Sequence, residues 1–80
     1  MAMMDYGQCK RFAEDLYEKA VIFSPQEKVA ERVLDLLGSG HTVESVQQCL
    51  LDDIERLARE GDEERVEVTK TFLSFVNGKP

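Results

Sequence analysis

The chain has 80 residues, 42% of them apolar and 32% charged, with a formal net charge of −6 and no tryptophan. That composition belongs to one soluble globular domain and excludes a fibrous or disordered chain. Its acidic balance also works against a nonspecific grip on nucleic acid, where affinity comes from lysine and arginine displacing phosphate counterions.

Residues 1–4 read as an unstructured start, and nothing near them joins a basic segment to an apolar stretch as a signal peptide would. The longest apolar run, Ala20 to Phe23, is far too short to span a bilayer. A cytoplasmic protein without a membrane partner is expected.

The first predicted helix covers about residues 6–22. At 100° per residue, Tyr6, Cys9, Phe12, Ala13, Leu16, Tyr17 and Ala20 share one side, with Lys10, Arg11, Glu14, Asp15 and Glu18 opposite. Ser24-Pro25-Gln26-Glu27 then has the form of a capping box with proline at the first helical position. A second helix, about 25–37, follows from it. Val29, Ala30, Val33, Leu34, Leu36 and Leu37 point inward, and Gly38 is expected as the left-handed stop.

Thr42 is the expected N-cap of a third helix, about 42–60, whose inner arc holds Val43, Val46, Leu50, Leu51, Ile54, Leu57 and Ala58. Gly61 ends it. Asp62 caps a fourth helix, about 62–77, with Glu63 and Glu64 at the positive end of its dipole. Val66, Val68, Thr69, Phe72, Leu73, Phe75 and Val76 cover about 180° of this last helix, whereas a surface helix needs a stripe nearer 100°. These seven residues are therefore expected to pack inside the chain along one edge and on a second copy along the other. A chain this short buries a smaller fraction of its surface than a larger domain, so a homodimer would add to its stability. The fold class is all-α: a small bundle of three to four helices in a single domain over 1–80, paired through the last helix.

Catalysis needs converging groups, and few are offered. His41 is the only histidine and Cys49 lies eight positions on, which is not zinc spacing. Asp52, Asp53 and Glu55 lack the alternating ligands and central glycine of a calcium loop. Neither an enzyme nor a cofactor is expected. Cys9 falls on the inner arc of the first helix and Cys49 on the outer side of the third, so both read as reduced thiols.

Residues 37–50 have the outline of a DNA-reading helix-turn-helix. The start of the third helix, however, presents Glu44, Ser45, Gln47 and Gln48, with no lysine or arginine before Arg56. DNA binding is therefore disfavoured, surviving as an alternative if a dimer gathers Lys10, Arg11, Lys19, Lys28 and Arg32 into one patch. A second alternative is an acidic DNA-mimic inhibitor from a mobile element.

The segment from Gln26 to Val76 carries an apolar helix ending LLGSG, a polar turn closed by Val43, the run CLLDDIERL, the acidic break GDEE and a closing helix TFLSFV. In these features it resembles the YmgB/AriR family, which includes YcgZ and YmgA, small helical regulators of biofilm formation and acid resistance described as two-component-system connectors. The resemblance implies an all-helical homodimer acting by protein–protein interaction, with a response regulator or other phosphorelay component as partner. The region from Asp52 to Glu67 has eight acids against three arginines. Asp52, Asp53, Glu55, Glu60, Asp62, Glu63, Glu64 and Glu67 are accordingly the candidate partner-binding residues, suited to a basic target.

Overall fold

In the computed structural model, which describes residues 3–78, each helix begins at a side-chain oxygen that accepts from its own first turn. α1 (Tyr6–Lys19) opens with a reciprocal box in which Gln8 N–H donates to Asp5 Oδ1 at 2.8 Å and Asp5 N–H to Gln8 Oε1 at 3.0 Å. Ser24 caps α2 (Pro25–Gly38), Thr42 caps α3 (Val43–Glu60) and Asp62 caps α4 (Glu63–Val76). The described residues thus form an all-α domain of four helices with no strand.

Two boundaries differ from expectation for local reasons. α1 stops at Lys19 instead of continuing to Ile22, and Ala20 turns extended. Ser24 must leave the helical region because it precedes proline, and the β-branched Val21 and Ile22 have little helix propensity to oppose an early exit. The cap itself is also rearranged. Glu27 N–H donates to Ser24 Oγ, but Glu27 Oε1 accepts from Phe23 N–H, while Ser24 N–H is taken by the Val21 carbonyl.

At the other end of α2, Gly38 remains helical and Gly40 takes the left-handed conformation at φ 94°. Gly40 N–H then reaches the Leu37 carbonyl and His41 N–H the Leu36 carbonyl, the paired bonds of a Schellman stop. The start expected to be unstructured is ordered at Met3 and Met4. Both pack against the core, and Met4 N–H donates to the Val76 carbonyl at 2.9 Å. Residues 1 and 2 lie outside the described residues.

α2 is the central element, packed on α1 along one side and on α4 and α3 along others, while α3 and α4 lie against each other across the two-residue corner Gly61-Asp62. The buried cluster draws on every helix: Cys9 and Ala13 from α1, Val33 and Leu37 from α2, Val46 and Leu50 from α3, Phe72 and Val76 from α4. Direct packing of α1 on α4 is slight and runs through Phe12, whose ring centroid lies 5.1 Å from Phe72 and 5.4 Å from Phe75. That thin contact leaves a groove between the two helices.

Candidate functional site

The seven residues expected to form a dimer seam on α4 divide into two sets. Val66, Thr69, Phe72, Leu73 and Val76 are buried within the single chain, so a second copy has almost nothing of them left to cover. Thr69 satisfies its hydroxyl locally, donating to the Arg65 carbonyl at 2.7 Å. Val68, half-buried, and Phe75, 51% exposed, remain at the surface. These two line the α1–α4 groove, a cavity of about 250 Å³ whose apolar walls also include Phe12, Leu16 and Phe72. Glu67, Thr71 and Gln26 stand around them, and Glu63 and Glu64 border the adjoining depression beside Pro25.

Sequence reasoning passed over the corner between α1 and α2 as the end of a helix. Val21, Ile22 and Phe23 are 76%, 70% and 81% exposed, three consecutive large apolar side chains in water. Phe23 is also the one non-glycine residue at positive φ (66°) among the described residues, a conformation that costs an L-residue roughly 1–2 kcal/mol. Two hydrogen bonds hold it there: Phe23 N–H to Glu27 Oε1 at 3.1 Å and Ser24 N–H to the Val21 carbonyl at 3.0 Å.

The eight candidate acids do not form one surface. Asp53, expected on the outside, is buried at the α2–α3 contact. Arg32 Nε lies 3.0 Å from its Oδ2, and an Arg56 terminal nitrogen lies 3.6 Å from its Oδ1. Asp62 is half-buried and committed to capping α4, accepting from Arg65 N–H. Asp52, Glu55, Glu60, Glu63, Glu64 and Glu67 are exposed. The first three lie along α3, where Asp52 receives Gln48 Nε2 and Glu60 receives Arg56. Glu63, Glu64 and Glu67 belong instead to the groove side of α4.

The groups that the DNA reading relies on are partly engaged elsewhere. Arg32 is held by Asp53, and Gln47 Nε2 donates to Asn77 Oδ1 across to the end of α4; Lys19 has only an exposed pair with Asp15 at 3.1 Å. Within the helix-turn-helix outline at residues 37–50, Val43, Val46 and Leu50 are buried in the core. His41 Nδ1 lies 2.7 Å from Ser45 Oγ, bridging the turn to the first turn of α3. Among the described residues no cluster of three or more His, Cys, Asp or Glu is placed to hold a metal ion, and no helix is long and apolar enough to cross a membrane.

Both cysteines are unpaired. Burial raises the Cys9 thiol above its ordinary value of 9.0, so the reactive thiolate is suppressed there, whereas Cys49 is only half-buried. In native protein at pH 8, a disulfide reagent should titrate Cys49 first and reach Cys9 only on unfolding in urea; equal rates at the two thiols would contradict this burial. Because the folded thiol is the weaker acid, its contribution to stability is complete below its unfolded value and is lost as pH rises through the folded one.

Compared with models of known protein families, with curated protein sequences and with solved structures, the chain gives no match.

Proposed function

We propose that this chain is a small non-enzymatic regulator that works by protein–protein contact: a cytoplasmic homodimer seated through the groove edge of α4, with an acidic face turned to a regulatory partner. The observation that carries the reading is the set of exposed carboxylates Asp52, Glu55 and Glu60 along α3. Arg56 and Arg59 are the only basic residues between them. Such a face favours a partner with a basic surface, because complementary charge speeds encounter and penalises acidic competitors. The resemblance to the YmgB/AriR family makes a response regulator or another component of a two-component phosphorelay the partner class, in the control of biofilm formation and acid resistance.

The test compares wild type with the triple variant Asp52→Lys, Glu55→Lys, Glu60→Lys as immobilised bait in a bacterial lysate, with and without nuclease. A protein captured after nuclease treatment, weakened at least tenfold by the variant and released as salt rises, supports the reading. Capture that vanishes with nuclease overturns it in favour of DNA. Capture indifferent to the variant removes the acidic face from the site.

A further inference from the structure

A chain that exposes three consecutive large apolar side chains at one corner and an apolar groove beside it holds both halves of a contact. We propose that the Val21–Ile22–Phe23 corner of one copy seats in the α1–α4 groove of a second copy, and the reverse. This deepens the self-association proposed above, and rests on it, by naming what fills the groove.

Shape, position, charge and area all bear on the match. The corner is convex and held in place: Phe23 sits at φ 66° with its N–H fixed by Glu27 and the turn closed by the Val21 carbonyl, so little freedom is lost when it binds. The groove is concave, and its roughly 250 Å³ is below the range of about 300–1,000 Å³ usual for small-molecule sites. It suits one or two inserted side chains. Leu16 and Gln26, which line it, bracket the corner in sequence, so both features lie at the same side of the chain. A two-fold axis beside them makes the two contacts together, which closes the dimer instead of propagating a filament.

Charge adds a direction. Exposed Lys19 and Lys28 flank the corner together with Glu18 and Glu27, while Glu64 and Glu67 flank the groove, so the two lysines are the groups that can meet the second copy's acids. The Lys19–Asp15 pair is exposed on both sides, and such pairs hold their partners weakly, so Lys19 can turn to the second copy's acids. The area is adequate as well. With aromatic side chains presenting about 150–250 Å² each, Val21, Ile22, Phe23 and Phe75 expose on the order of 500 Å² per copy. Counted over both copies, that is about the 1,000 Å² at which a specific interface begins.

Sedimentation equilibrium of the full chain at micromolar concentrations tests the proposal, with circular dichroism as the check on folding. Wild type should be a dimer. Phe23→Asn, which keeps a residue tolerant of positive φ, and Ile22→Asp should each weaken association at least tenfold. Thr71→Arg, filling the groove mouth from an exposed position, should do the same. The decisive measurement mixes Phe23→Asn with Thr71→Arg. One has an intact groove and the other an intact corner, so the mixed pair restores one of the two contacts and should associate more tightly than either variant with itself but less tightly than wild type; a mixture no tighter than the separate variants overturns the proposal. If the corner variants associate like wild type while Thr71→Arg is monomeric, the groove seam stands and the corner proposal is wrong. A monomeric wild type overturns both.

Discussion

Phe72→Ala should lower the free energy of unfolding by about 3–5 kcal/mol, independently of protein concentration. The side chain is 2% exposed within one chain, its ring lies 5.1 Å from Phe12, and it joins the α4 contribution to residues from the other three helices in the core. Alanine leaves a cavity that rigid neighbouring helices close only in part. An 80-residue chain at about 0.05–0.15 kcal/mol per residue holds roughly 4–12 kcal/mol in total. The variant should therefore melt about 15–30 °C lower or fail to fold at growth temperature. Phe75→Ala is the control. With half of its surface in water, it should cost about 1 kcal/mol in the monomer and show its main effect on self-association. If the Phe72 penalty instead grows as protein concentration rises, the residue contributes to association between copies and the monomer core described above is wrong.

That contrast also shows what hydrophobic periodicity reveals. Angles of 100° per residue placed Val66 through Val76 on one broad arc of α4, and the arc is real. The pattern does not say what covers it. The rest of the chain buries Val66, Thr69, Phe72, Leu73 and Val76, and the surplus width is left only at Val68 and Phe75, where α1 packs slightly on α4. Helix starts were legible because Ser24, Thr42 and Asp62 act on amides two or three residues away. Stops were legible only where a single glycine offered itself. Gly61 takes the left-handed position as expected, but Gly38-Ser39-Gly40 offered two glycines, and the second takes it.

The corner at Val21 was hidden for a related reason. Its side chains continue the apolar alternation of α1, and only the demand of Ser24-Pro25 for extended backbone reveals that the helix must already have ended. The candidate partner face was legible as composition, since the acids between Asp52 and Glu67 stand out in the sequence. Their separation into a buried ion pair, a helix cap, an outer row on α3 and a groove rim depends on how α2 and α1 cross the other two helices. Contacts between residues 21 or more positions apart, such as Arg32 with Asp53, leave no trace in local spacing.

Asp53→Ala should cost about 1–3 kcal/mol, measured by urea unfolding, and most of that cost should persist in 0.5 M salt. Asp53 is the acid that the outward reading of α3 misplaces. Its side chain is 10% exposed and bridges Arg32 on α2, through bonds of 3.0 and 3.4 Å, to Arg56 on its own helix at 3.6 Å. Breaking a fully buried pair costs about 3–5 kcal/mol because a charge is stranded without water. Here Arg32 and Arg56 are 44% and 47% exposed, so both guanidinium groups rehydrate once the carboxylate is gone and the loss is smaller. Arg32→Ala leaves the buried carboxylate with only the longer Arg56 contact, and its cost should equal or exceed that of Asp53→Ala. The double variant should cost less than the two singles added, with a coupling of about 0.5–3 kcal/mol. Because the carboxylate is screened from counterions by the helices around it, that coupling should survive salt that abolishes the exposed Lys19–Asp15 pair. Additive effects would mean that the bridge contributes nothing to holding α2 against α3, leaving the apolar core to set their register alone.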